Sequence, residues 1–486
     1  MLSSRIVSSF HPAQVTGASY QSDIFYALAT VCLLLVVGAI ALIDAGLVRR
    51  KNLLDTWVQK LVCSMIGAGA LAVIGYAIWE IQYYEAFGTA SPVTQAIKDW
   101  WLFGPNVTKF SQNLDPSTSP SADTFQVFMA FFMAYGAVAG ALLHSAGLER
   151  VKALPMYIIS ALAGGLVVPV LLYYTWGSTS PLTNRGTHDY IGIFSLYIFV
   201  GIWGLIIAWR AGPRLGAFKA DNRTIGPVPH NLGMTALGVA ILMFAAPFAF
   251  LGCGYIVPGS GYFGISLTTS GFGIVLLNIF MAYIGGALAG VAIAYRTKNS
   301  IMILLGPAAG YIGAGASLDI ARPWQVLLIA AGGTVVVYGT FLLMYRIRID
   351  DKKIVPLALG GGIYSALISG IVGWGTKTGG YFGLKGAYSP QHATINLGWQ
   401  AIGVGVTILI SAVTGLIVIV GLDKTIGLRV SEKQEIVGLD ETYWGAPPSP
   451  YTDAPGGVGA LPGETITQGA VEGLGSPGSA MAETQT

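Results

Sequence analysis

Eleven apolar runs dominate this chain, each near the roughly 20 residues that a helix needs to cross the hydrocarbon of a bilayer. They lie near 24–48, 56–79, 124–146, 153–176, 190–209, 232–256, 271–295, 300–316, 324–345, 354–374 and 396–421. Charged residues make up 10% of the 486 and apolar ones 53%, with a mean hydropathy of +0.65. A soluble domain carries about 25% charge, so this chain cannot cover a water-facing surface, and its solvent is lipid. Inside lipid every backbone N–H and C=O has to be paired within its own segment, which makes the runs helices. The fold class is therefore all-α integral membrane.

The basic residues order the spans. Eighteen of the 26 Lys and Arg follow odd-numbered spans or open the tail, among them Arg49-Arg50-Lys51, Arg150, Arg214 and Arg429. Seven lie on the opposite side, and Lys60 lies inside span two. By the positive-inside rule the N-terminus is outside and the C-terminus cytoplasmic, a multi-pass topology in the plasma membrane. Residues 1–23 form an N-terminal outer segment, and the run from Ile24 is too long for the core of a signal peptide. Residues 24–421 form the membrane domain. Residues 422–446 are mixed and charged, which predicts a tail docked on the cytoplasmic face. Residues 447–486 are Gly, Pro, Ser, Thr and Ala with few large apolar groups, a composition that predicts disorder. Asn106-Val107-Thr108 fits a glycosylation sequon, a pattern short enough to arise by coincidence.

Spans one to five and six to ten read as two halves. An odd number of spans per half sends the second half in from the opposite side, an inverted repeat that places a substrate path at the interface of the halves. Both halves carry an acidic residue just ahead of the fifth span, Asp189 and Asp351.

Several fragments then resemble the Amt/Mep/Rh ammonium transporters, in that family's order. They are Gly46 to Asn52 after span one, Glu149-Arg150 after span three, Trp176-Gly177 closing span four and Asp189-Tyr190-Ile191-Gly192 opening span five. Gly212 to Gly216, Pro229 to Leu232, Leu428 to Ser431 and Gly438 to Asp440 follow. The resemblance covers about 20–445. It implies eleven helices as a five-plus-five inverted repeat plus one, a homotrimer with one pore per subunit, ammonium or ammonia as substrate, and a possible cytoplasmic regulator at the tail. Carried over by position, Trp176 and Asp189 recruit the cation. The indole does so by cation–π attraction, and the carboxylate by capping a helix start and adding negative field. Phe131, Tyr135 and Phe250 fall at gate positions, with Tyr135 one hydroxyl away from the family's phenylalanine. Gly254 lacks the hydroxyl of a vestibule serine.

The largest departure is at mid-membrane. The family places a histidine eight residues after each acidic marker; here those positions are Tyr197 and Leu359. Histidine titrates near pH 6.5, whereas tyrosine titrates near 10 and leucine not at all. The central pair keeps one hydroxyl and no proton relay.

The remaining polar residues have structural readings. Asp44, near the inner end of span one, is expected to pair with Arg49–Lys51; a cation site is the sharper alternative. Glu80 is expected at the interface, and His144 and His188 in surface or capping roles. The three cysteines, Cys32, Cys63 and Cys253, read as small buried hydrophobes. No Walker loop, metal-ligand cluster or nucleophile–base signature is present, so neither an enzyme nor a cofactor is expected. The short basic loops do not suggest nucleic-acid binding. Two functions stay open: a transporter or channel for ammonium, ammonia or methylamine with an altered pore, or a non-conducting sensor or structural subunit.

Overall fold

The computed structural model describes residues 17–108, 122–218, 229–257 and 260–446. Among them, eleven helices are long and apolar enough to span a membrane. They are α1 (Gln21–Leu47), α2 (Arg50–Ala86), α3 (Phe125–Ala146), α4 (Ala153–Thr175), α5 (Ile193–Ala211), α6 (Leu232–Leu251), α7 (Phe272–Thr297), α8 (Ser300–Ser317), α9 (Pro323–Arg346), α10 (Val355–Val372) and α11 (Leu397–Thr425). The spans expected from sequence are these eleven, with shifted ends. α2 runs seven residues further, to Ala86, because the segment Tyr76–Ala86 keeps its helical hydrogen bonds despite its polar groups. α6 stops at Leu251, where Gly252 and Cys253 turn the chain into a hairpin of β1 (Gly254–Val257) and β2 (Gly261–Gly264). A second short pair, β3 (Lys377–Thr378) and β4 (Ala393–Thr394), lies in the α10–α11 loop. The predicted disordered tail at 447–486 and most of the N-terminal segment lie outside the described residues.

Helix starts follow local chemistry. Asn231 and Asn396 cap α6 and α11 by accepting the N–H of Met234 at 3.0 Å and of Trp399 at 2.9 Å. Pro323 opens α9, where its missing N–H costs nothing.

Small residues let the helices cross, and they do so alike in the two halves. In the first, a Cβ on Gly140 of α3 would overlap the Cys63 carbonyl of α2, and one on Gly136 would meet the Gly67 carbonyl. In the second, a Cβ on Gly310 of α8 would overlap the Ala282 carbonyl of α7, and one on Gly306 would meet the Gly286 carbonyl. Such contacts replace a hydrophobic drive that lipid does not supply. α1 lies against α6 across the boundary of the halves, where Thr235 Oγ1 donates to the Ile43 carbonyl at 3.3 Å. α5 and α10 cross through Gly201 and Gly362: a side chain on Gly201 would strike Leu359, and one on Gly362 would press on Ile198 and Tyr197. Outward faces stay apolar; Phe244 is 83% exposed and Ile417 69%.

The loops after α1, α3 and α5 meet the segment 426–444 on one face. Val151 bridges Arg429, and Lys152 N–H donates to the Leu428 carbonyl at 2.9 Å. Asp440 accepts the N–H groups of Leu54 at 3.0 Å and Asp55 at 2.8 Å, at the start of α2.

Candidate functional site

Each crossing helix begins with one turn of π-helix, Ile193–Ile198 in α5 and Val355–Gly360 in α10. A free helix start leaves N–H groups unpaired, and inside a membrane domain a carboxylate satisfies them. Asp189 is fully buried; its Oδ1 accepts from Gly192 at 2.9 Å and Ile193 at 2.7 Å, and its Oδ2 from Phe194 at 3.0 Å. Asp351 Oδ1 accepts from Lys353 at 2.9 Å and Val355 at 3.2 Å. Burial pushes both carboxyls up to about 6, against the pull of those N–H bonds.

The expected recruitment and gate residues spread over two layers. The Trp176 side chain is locked: its indole donates to the Tyr190 carbonyl at 3.0 Å, and its own carbonyl accepts from Trp79 at 2.7 Å. Its ring packs on Phe132 and Tyr135, with centroids at 5.4 and 5.9 Å. The Tyr135 hydroxyl shares a hydrogen bond of 2.9 Å with Ser195 Oγ and lies against Gly192, where φ is +82° and a Cβ would overlap it. The hydroxyl by which Tyr135 departs from the family pattern therefore ties α3 to the first turn of α5. Phe131 is buried, stacks parallel to Phe128 at 6.0 Å and presses on Gly252. Phe250 packs on Tyr311, at 5.0 Å.

Tyr311 escaped the sequence reading. It sits in α8, 6.5 Å from the Tyr197 ring and 6.3 Å from Tyr283. The available signal was its standing as the sole aromatic in the Gly- and Ala-rich run 300–317. Leu359 is half-buried at the α5–α10 crossing and packs toward Phe341 and Val355.

Beyond the crossing, toward the tail face, Asp44 is buried among three helices. Its Oδ2 accepts from Lys60 Nζ at 2.6 Å and Ser145 Oγ at 2.5 Å, and its Oδ1 accepts from Lys353 Nζ. Lys60 fills its other two donors with the Ala141 carbonyl at 2.7 Å and Ser145 Oγ at 2.8 Å. This corrects the expected pairing with Arg49–Lys51. Asp44 lies too deep for that run, and two ammonium groups already occupy the place of any added cation. Arg49 instead serves Glu149, at 2.8 Å.

Three further expectations are corrected. Glu80 is 5% exposed, because the longer α2 carries it inside the helix, next to a cavity of about 680 Å³ on the face opposite the tail. His188 is fully buried, its Nε2 2.9 Å from Asp319 Oδ1 and its backbone clasped by Gln400 of α11. His144 is buried in α3 beside the Asp44 cluster.

The basic loops are tied into one hub. Arg214 donates from Nε and Nη2 to both oxygens of Asp350, each at 2.8 Å, and from Nη1 to Glu149 at 2.8 Å. Glu149 also accepts from Asn52 at 2.7 Å. Burial raises the Glu149 carboxyl, but Arg49 and Arg214 outweigh it and hold it at about 2. Arg214 likewise overcomes burial at Asp350 and holds it well below the usual carboxylate range. Glu435 of the tail joins through Arg49 at 3.3 Å and Arg429 at 2.7 Å.

Opposed halves, crossed helices with buried carboxylate caps and a lipid-facing rim define a polytopic membrane transporter of the inverted-repeat kind. The Ammonium Transporter Family profile matches residues 24–447, and the chain belongs to that family. It is 29% identical over 301 residues to ammonium transporter Amt1 of Methanocaldococcus jannaschii, covering 60% of this chain and 69% of the relative. It is 24% identical over 430 residues to ammonium transporter Amt2 of Archaeoglobus fulgidus, covering 82% of each. Among solved structures it superposes on a sensor Amt protein with a TM-score of 0.67 at 20% identity, covering 88% of this chain and 98% of that one. Mep2 of Candida albicans gives 0.66 at 17% identity, covering 85% and 87%.

Proposed function

We propose that this chain conducts ammonium nitrogen, as ammonia or methylamine, through each subunit of a homotrimer in the plasma membrane, with the tail face cytoplasmic. The observation that supports this reading best is the α5–α10 crossing. Each half contributes a helix opened by a buried carboxylate, and the two meet at Gly201 and Gly362. Asp189 lends negative field to the outer end of the path, where Trp176 and Tyr135 stand beside it; Phe131 and Phe250 flank the next layer. Past them lie Tyr197 and Leu359, which offer no proton relay near neutral pH. On the inner side Lys60 and Lys353 stand with Asp44 and the Asp351 cap, so no net negative field draws a cation through. With no group to pass a proton along, the species that crosses is neutral, and the proton is left with water at the outer mouth.

Uptake of labelled methylammonium into proteoliposomes tests this. Saturable uptake is expected, falling as the external pH drops below about 6, because the raised Asp189 carboxyl then takes up a proton and its field is lost. The double variant Tyr197→His/Leu359→His is expected to raise uptake severalfold by supplying a titratable pair. Uptake equal to that of protein-free vesicles would reject conduction. One observation favours a non-conducting sensor or structural subunit instead: Tyr197, Tyr311 and Phe250 pack ring against ring in series, edge-on and tilted. Under that reading the wild type is silent and the double variant gains flux.

A further inference from the structure

The cavity on the face opposite the tail has features that the proposed path does not use. Its 680 Å³ falls in the range of sites for organic molecules, about 300–1,000 Å³, whereas a water-sized ion takes up about 30 Å³. Among the described residues its wall holds no Lys, Arg or His, and most of it is aromatic. Its one acidic group is Glu80, whose Oε1 is buried without a hydrogen-bond partner. A buried carboxylate in that state is costly until an opposite charge meets it.

Four of the five tyrosine hydroxyls of the wall are already engaged. Tyr83 bonds Tyr255 at 2.6 Å, Tyr84 donates to Asp99 at 2.7 Å, and Tyr26 donates to the Gly254 carbonyl at 2.7 Å. What remains for a guest is mostly ring surface, with one carboxylate and the polar ends of Thr89, Asn106 and Tyr381. So few acceptors poorly replace the hydrogen bonds that a bare ammonium loses with its water. Such a wall suits a cation whose nitrogen is clothed in alkyl groups, which keeps its charge and needs no acceptors. The indole Nε1 of Trp100, also in the wall, is a second buried polar atom without a partner, and it is a donor.

We propose that this cavity is a binding site for a quaternary ammonium compound carrying an oxygen: the cation lies among the rings beside Glu80, and the oxygen accepts from Trp100. None of Trp176, Asp189, Phe131 and Phe250 lines the cavity, and its occupant is a ligand, not a transported ion.

The test uses the full-length protein in nanodiscs, titrated by calorimetry with three probes of similar shape. Choline carries the charge and the oxygen, tetramethylammonium the charge alone, and 3,3-dimethyl-1-butanol the oxygen and the shape without charge. Choline is expected to bind at least about tenfold more tightly than the uncharged alcohol, a difference of about 1.4 kcal/mol. Glu80→Gln is expected to weaken choline and tetramethylammonium by about tenfold or more. Trp100→Phe is expected to weaken choline about threefold or more while leaving tetramethylammonium unchanged. Equal binding of choline and the alcohol to the wild type overturns the proposal whatever the variants do. So does undiminished choline binding by Glu80→Gln with an unchanged melting temperature. Loss of methylammonium uptake would leave these outcomes untouched, so failure of the transport reading and failure of this one are distinguishable.

Discussion

Asp44→Asn is expected to lower the stability of the protein by about 3–5 kcal/mol, the range found when one partner of a buried ion pair is removed. The carboxylate now holds Lys60, which is fully buried, and Lys353, which is nearly so. Without it two ammonium groups share Ser145 Oγ and repel each other. Removing one of them as well tests the cause. Asp44→Asn/Lys60→Met deletes the repulsion and is expected to recover at least about half of the loss, a coupling far outside the few tenths of a kcal/mol seen for independent sites. Thermal unfolding in detergent, followed for both variants and for Lys60→Met alone, reads the cycle. Additive losses would mean that the three groups do not share one site.

Arg214→Ala is expected to cost a similar amount, about 3–5 kcal/mol, and to change how the protein responds to acid. In the wild type Arg214 serves two buried carboxylates at once, Glu149 and Asp350. Both are held below their unfolded values, Glu149 at about 2. A carboxyl lowered by folding contributes stability that is complete above its unfolded pKa, near 4, and that drains away as the pH falls through the folded value. Wild-type melting temperature should therefore fall between about pH 4.5 and 2. In Arg214→Ala the two carboxyls return toward ordinary values, so the melting temperature starts lower and the acid slope is shallower. Arg214→Lys restores the charge without the two-pronged geometry and should fall between. A variant that melts lower with an unchanged acid slope would show that Arg214 acts through packing and not through these carboxylates. Because Glu435 of the tail reaches the same hub through Arg49, loosened packing of 426–444 should accompany the loss.

The membrane fold was legible from sequence because lipid leaves few options. Runs of about 20 apolar residues have to be helices, and their number and basic flanks follow by counting. The acidic position ahead of an apolar run is likewise a local signal, and Asp189 and Asp351 stand there as helix caps. Three kinds of information were out of reach. The first is pairing across distance: Asp44 and Lys353 are 309 residues apart, and only the packing of α1 against α2, α3 and the start of α10 brings them together. The second is where an amphipathic end stops. Residues 80–86 carry glutamates and tyrosines, so they read as leaving the membrane, whereas the helix continues to Ala86 and Glu80 stands in the cavity wall. The third is the identity of a partner. Tyr311 stands out as the sole aromatic of 300–317, but nothing local says that Phe250 and Tyr197 are what it meets.

The central claim is that a path for ammonium nitrogen begins at the Asp189 cap and passes between α5 and α10. The most direct measurement is the rise in luminal pH evoked by an ammonium jump across proteoliposomes loaded with a pH-sensitive dye, for the wild type and for Asp189→Ala at matched protein density and with intact melting. A saturable response in the wild type that falls at least about tenfold in Asp189→Ala is the predicted result, since the variant loses both a three-bonded cap and its field. A wild-type response that Asp189→Ala leaves unchanged would contradict the claim.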